Sequence, residues 1–176
     1  MADFCDYKIK VRGKKNACYA FMSSTSAVDD REIINEFGSD DDYTLLFKGC
    51  CKWSIDSYCK KFHGEKPVIL PGNLDDVIDE AENKYWYHTV QERSEMFGVE
   101  VWCNSGSVET FESCIAELLE SGEVTLEEIK ENEEFSPYEY QHYNCGKEIW
   151  DDMPEEIAMN FTFLNFDSED EYYEED

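Results

Sequence analysis

Phe4-Cys5-Asp6-Tyr7-Lys8-Ile9-Lys10-Val11-Arg12-Gly13 is the stretch from which the fold is read. Tyr7, Ile9 and Val11 alternate with Lys8, Lys10 and Arg12, a period of two. Successive side chains of a strand point to opposite faces, so this pattern predicts a half-buried strand with one apolar and one cationic face, stopped at Gly13. Working outward, Asn16 to Met22 carries Ala17, Tyr19, Ala20 and Phe21 and reads as a helix. Gly38-Ser39-Asp40-Asp41-Asp42 is a turn, and Tyr43 to Phe47 is a second strand ending at Gly49.

Further along, Ser54 is placed to cap a short helix through Phe62. Asn73 is placed to cap a longer one, with Val77, Ile78 and Ala81 on one face and continuation through Tyr85, Trp86, Val90 and Phe97 to Gly98. Val99, Val101 and Cys103 alternate with Glu100 and Trp102 as a third strand. Residues 108–134 admit a helix pair or a hairpin turning at Ser121-Gly122. Phe111, Ile115, Leu118 and Leu119 fall at helical spacing, and Thr125-Leu126-Glu127-Glu128 is a capping-box pattern, so periodicity favours helices. Ile157 to Phe166 is apolar enough to dock as a strand.

The chain has 176 residues, room for one domain, and is read as a single α+β unit over 1–166 followed by an acidic tail, 167–176. Its 15 Lys and Arg face 42 Asp and Glu, a net charge of -27. That charge is unevenly placed. Residues 1–70 hold 11 basic and 11 acidic residues, whereas 71–166 and the tail together hold 4 and 31. Such a surface excludes ordinary nucleic-acid binding, which needs clustered cations, and disfavours an anionic membrane. Hydrophobic residues make up 41% and aromatics 15%, which excludes a simply disordered acidic chain. No apolar run reaches the ~20 residues of a membrane span, and the polar N-terminus reads as lacking a secretion signal. A cytoplasmic protein with all eight Cys reduced is the expectation.

No catalytic signature stands out. Cys50, Cys51, Cys59 and His63 lack the paired spacing of a zinc site, and Asp40-Asp41-Asp42 lacks a calcium-loop frame. Three His and eight Cys offer no local Cys–His motif, and no Gly-rich phosphate loop is present. Neither an enzyme, a cofactor nor a metal is therefore expected.

Acid density is the informative signal. Residues 112–134 hold nine Glu (Glu112, Glu117, Glu120, Glu123, Glu127, Glu128, Glu131, Glu133 and Glu134) against Lys130. As one helix this row would span ~35 Å with a carboxylate per ~4 Å, close to the ~3.4 Å phosphate repeat along one DNA strand. With Asp151 and Asp152 these acids are the candidate partner-binding residues. Tyr138, Tyr140 and Trp150, set among acids, are the candidate interface aromatics.

The order of four short motifs resembles the phage- and plasmid-borne ferredoxin-like proteins of the YubB type. They are Phe4–Gly13, Cys51-Lys52-Trp53-Ser54-Ile55, Ser94-Glu95-Met96-Phe97-Gly98-Val99-Glu100-Val101 and Tyr143-Asn144-Cys145-Gly146. The resemblance covers about residues 4–146. It implies an α+β fold with helices on one face of an antiparallel, ferredoxin-like sheet and a hairpin at 108–134, supplies no catalytic residues, and implies a mobile-element setting. By acidity and setting the chain looks like a DNA-mimic anti-CRISPR inhibitor. The expected partner is a basic nucleic-acid-binding protein, most specifically a type II CRISPR effector nuclease, with no direct DNA binding. The alternatives are an immunity protein against a basic nuclease toxin and a small thiol or metal protein.

Overall fold

The computed structural model describes residues 4–25, 27–28, 30–52, 54–56, 60–62, 85–87, 89–132 and 135–161. Strand β1 (Phe4–Gly13) lies near the middle of a six-stranded sheet. Helix α1 (Lys15–Ser24) follows, then β2 (Glu32–Gly38) and β3 (Tyr43–Lys52). Strands β4 (Lys60–Phe62) and β5 (Tyr85–Tyr87) pair with each other as a separate ribbon. Next come α2 (Val90–Phe97), β6 (Glu100–Gly106), α3 (Val108–Ser121), α4 (Leu126–Glu131), β7 (Tyr138–Asn144) and β8 (Lys147–Glu148). A 3₁₀ turn covers Glu155–Ile157. The main sheet runs β2-β3-β1-β6-β7-β8, and every neighbouring pair is antiparallel.

The alternation in β1 sorts the sheet into two faces. Cys5, Tyr7, Ile9 and Val11 are buried with Leu45, Phe47, Val101 and Cys103, under Ala17, Cys18, Ala20 and Phe21 of α1 and Val90 and Phe97 of α2. Their burial is the main driving term of the fold. On the opposite face, Lys8 Nζ donates to the Ala158 carbonyl at 3.0 Å. Asn104 Nδ2 donates to the Ile157 carbonyl at 2.9 Å, and Lys10 pairs with Glu156 at 3.8 Å. Ile157, with no exposed surface, pins this C-terminal segment across the cationic face of β1.

Arg93 of α2 is 1% exposed, a buried cation held at the end of α1. Its Nη1 donates to Thr25 Oγ1 at 2.8 Å, Ser24 Oγ at 3.1 Å and the Phe21 carbonyl at 3.4 Å, and its guanidinium lies over the Phe21 ring. A cation there complements the negative end of the α1 dipole and locks α1 to α2.

Several expectations change. The helix expected from Ser54 does not extend through Phe62: Lys60–Phe62 is strand, paired with Tyr85–Tyr87, and residues 57–59 lie outside the described residues. The same pairing ends any continuous helix from Asn73 to Phe97. Thr89 starts a new one, its side chain accepting from the Glu92 N–H at 3.1 Å, and Gly98 closes it at φ 63°. Aromatic Tyr85-Trp86-Tyr87 has the residue types that strands favour. Asn73 to Lys84 lies outside the described residues. At 108–134 two helices form, as periodicity indicates, and not the hairpin that the family resemblance implies. Ile157 to Phe166 does not begin as a strand: Glu155–Ile157 is a 3₁₀ turn, Ala158 lies against Lys8 on a sheet face, and Phe161 meets Phe111 of α3 edge to face at 5.2 Å. Residues 162–176, including the expected acidic tail, lie outside the described residues. Strand β3 runs through Gly49 to Lys52 because the Tyr7 ring packs where a Gly49 Cβ would stand. No described helix is long and apolar enough to cross a membrane.

Candidate protein-binding surface

Helices α3 and α4 carry most of the expected acids. Ser107 caps α3, accepting from the Thr110 N–H at 3.4 Å, and Gly122 ends it at φ 74°. Ile115 is 2% exposed and anchors the helix, with Phe111, Leu118 and Leu119 half-buried beside it. The capping box of α4 is complete: Thr125 Oγ1 accepts from the Glu128 N–H at 3.3 Å, and Glu128 Oε2 accepts from the Thr125 N–H at 2.8 Å. Ile129 is fully buried and fixes α4 to the body.

The outward faces are therefore held in place. Glu117, Glu120, Glu123, Glu127 and Glu131 are exposed, and their carboxylates make no hydrogen bond or ion pair among the described residues. The other expected acids divide differently. Glu112 is half-buried, and Glu128 is committed to the cap. Glu133 and Glu134 lie outside the described residues. The row is also not one ~35 Å rod. Gly122 breaks it into a 14-residue and a 6-residue helix, ~21 and ~9 Å long.

Asp151 and Asp152, adjacent in sequence, serve different purposes. His142 of β7 is 5% exposed, with Nε2 2.9 Å from Glu100 Oε1 and Nδ1 3.0 Å from Asp151 Oδ2. The contact to Glu100 is a hydrogen bond, whereas the approach to Asp151 is close in distance but lacks hydrogen-bond alignment and leaves Nδ1 without a hydrogen-bond partner among the described residues. The Tyr140 hydroxyl donates to Asp151 Oδ1 at 2.8 Å. Burial tends to raise the Asp151 carboxyl, but the hydrogen bond from Tyr140 and the attraction of nearby His142 outweigh it and leave it below the usual aspartate value. Burial and the bond to Asp151 together push the Tyr140 phenol well up. Asp151 and Tyr140 thus clasp the C-terminal segment to β7. Asp152 is exposed, Tyr138 is half-buried, and Trp150 is 89% exposed, a large apolar side chain in water between acidic neighbours.

The pairing register β1-β6-β7 assembles a row that sequence reading did not find. Lys10, Trp102 and His142 stand side by side, with Trp102 stacked on His142 at 4.7 Å and Lys10 Nζ 4.8 Å from the Trp102 ring. Trp102 is thus flanked on both neighbouring strands. The signal was the alternation of Trp102 with the core residues Val101 and Cys103, which puts it on the other face.

A cleft of about 380 Å³ opens at the other end of β1, walled by Cys5, Asp56, Ser105, Thr110, Glu139 and Gln141. Asp56 accepts from the Val90 N–H at 2.9 Å, and Gly106 lies so close to the Pro137 carbonyl that a Cβ would overlap it. The seven described cysteines are thiols. Among the described residues no group of three or more His, Cys, Asp or Glu is placed to hold a metal ion, and Cys59 and His63 lie outside them. No protein family, curated protein or solved structure matches the chain.

Proposed function

We propose that this chain is a nucleic-acid mimic that binds and inhibits a nucleic-acid-binding protein by occupying its basic channel. The observation that carries the reading is the set of exposed carboxylates of Glu117, Glu120, Glu123, Glu127 and Glu131, without a partner among the described residues, on helices anchored by Ile115 and Ile129. Anchored carboxylates lose less conformational freedom on binding than those of a tail, so more of the electrostatic attraction appears as affinity. The neutral first 70 residues give the field a direction, which orients encounter with a cationic surface. Trp150, exposed between acids, is the aromatic anchor, because the face of an indole attracts the Arg and Lys of such a channel.

In its most specific form the partner is a type II CRISPR effector nuclease, whose heteroduplex and PAM-reading channels are lined with Lys and Arg. The setting is the cytoplasm of a cell carrying a mobile element, in keeping with the resemblance to YubB-type proteins. The order β2-β3-β1-β6, with α1 joining β1 to β2 and α2 preceding β6 on the same face, supports a ferredoxin-like core. On this reading the segment beyond β6 is the acidic extension that carries the function. The chain itself has no catalytic role.

The test is a mobility-shift competition with a guide-loaded type II effector and its target DNA, at low and high salt. The wild-type chain is expected to displace DNA, with affinity falling as salt rises. Glu117→Lys, Glu120→Lys, Glu127→Lys and Glu131→Lys combined should weaken it at least tenfold, while reversal of Asp30 and Glu32 changes little. Undiminished competition by the fourfold variant would sink the mimicry. Competition at a basic nuclease toxin and not at the effector would make the chain an immunity protein instead.

A further inference from the structure

We propose that Cys5 and Cys51 form a redox-active dithiol that hydrogen peroxide oxidises to a cross-strand disulfide. The two residues stand directly opposite each other in the antiparallel β1–β3 ladder. Opposed residues there have Cα atoms ~4.5 or ~5.5 Å apart, both inside the ~4.4–6.8 Å span that a disulfide bridges. Opposed side chains share a face, and these two point into the core at 2% and 1% exposure. The proximity of the Cys51 thiol, outweighing burial and helped by the backbone of Ile55 and Gly106, holds the Cys5 thiol below its ordinary value, and Cys5 Sγ lies 3.8 Å from the Asp6 carbonyl.

Standing opposite a second cysteine distinguishes the pair from the other core thiols. Cys18 sits 3.6 Å from the Tyr43 carbonyl and 3.8 Å from the Val11 carbonyl, and burial pushes it up to about 12. Burial also raises Cys103, which faces Ile9 across its ladder. A raised thiol is a poor nucleophile. Cys5 is also the one of the four that walls the cleft of about 380 Å³, so a molecule as small as hydrogen peroxide can approach its sulfur from that side.

The chemistry divides between the two sulfurs. The Cys5 thiolate attacks one peroxide oxygen. The O–O bond breaks, hydroxide leaves and takes a proton to become water, and Cys5 becomes the sulfenic acid. The Cys51 sulfur then attacks the Cys5 sulfur. The S–S bond forms, the S–O bond breaks, and the hydroxyl departs as a second water with the Cys51 proton. Two thiols lose two electrons, and one peroxide is reduced to two waters.

The experiment exposes the reduced full chain to hydrogen peroxide, blocks remaining thiols under denaturing conditions and maps tryptic peptides by mass. The expected product links Met1–Lys8 to Gly49–Lys52, two hydrogens lighter than the sum of the two peptides. Cys50→Ser should retain the link, and Cys51→Ser should lose it and leave a dimedone-reactive sulfenic acid on Cys5. The proposal is overturned if peroxide oxidises exposed Cys114 while the wild-type chain yields no such link. It is equally overturned if the link persists in Cys51→Ser, which would assign it to Cys50. The wild-type result stands without any variant.

Discussion

Replacing Asp151 by Ala separates two roles that one carboxylate could have. The structure makes Asp151 the acceptor of the Tyr140 hydroxyl at 2.8 Å and sets its other oxygen 3.0 Å from His142 Nδ1. Tyr140 is half-buried, so water only partly replaces the acceptor that its hydroxyl loses. A buried donor left without its acceptor costs about 1–3 kcal/mol. The Asp151 side chain itself is 39% exposed, which lets water enter its place and puts the expected loss towards the lower end of that range. For a chain of this size each kcal/mol moves the midpoint by about 2–4 °C, so thermal unfolding at neutral pH should show a fall of about 2–6 °C. Asp152→Ala, an exposed neighbour, should stay within about 0.5 kcal/mol of wild type. The pH dependence has a definite sign. Asp151 is held below the usual aspartate value in the folded state. Its contribution is therefore fully present above that usual value and is lost as pH falls through the lowered folded value, so the gap between D151A and wild type should close in acid. Equal midpoints for D151A and D152A at neutral pH would refute the clasp and return Asp151 to the free acidic surface.

Ile129→Ala removes the buried anchor of α4 and should cost about 2–5 kcal/mol by denaturant unfolding, loosening Glu127 and Glu131 together. An unchanged midpoint would mean that α4 is not held by its apolar face. Thr125→Ala deletes the acceptor of the capping box and should cost about 0.5–2 kcal/mol, with exchange of the amide of Glu128 accelerating first. Gly106→Ala forces a Cβ into the Pro137 carbonyl, so β6 and β7 must separate there; soluble protein with a wild-type midpoint would contradict that contact.

Much of the fold was legible wherever local pattern and burial agree. The alternation of Tyr7, Ile9 and Val11 gave β1, and Phe111, Ile115, Leu118 and Leu119 with the Thr125–Glu128 box gave α3 and α4. In each, the period alone separates a buried from a solvated side. The candidate site was partly legible too, since charge is read by counting, and the split between residues 1–70 and the rest needs no coordinates. Strands β2 and β7 carry no comparable signal. All seven residues of β2 are exposed, so no apolar face marks it, and Tyr138 to Asn144 alternates polar with aromatic groups whose inward partners lie on β6.

Which acid is free and which is structural was beyond the sequence, because that depends on what packs opposite it. Glu127 and Glu128 look alike in a string, yet one faces water and the other closes a cap. Asp151 and Asp152 look alike, yet only Asp151 meets His142. The same holds for Cys5 and Cys51, 46 positions apart and brought opposite each other by the register of β1 on β3. A sequence fixes the charge of each side chain and the period of each segment. Pairing register and the burial it imposes decide which charges are spent inside the molecule and which remain for a partner.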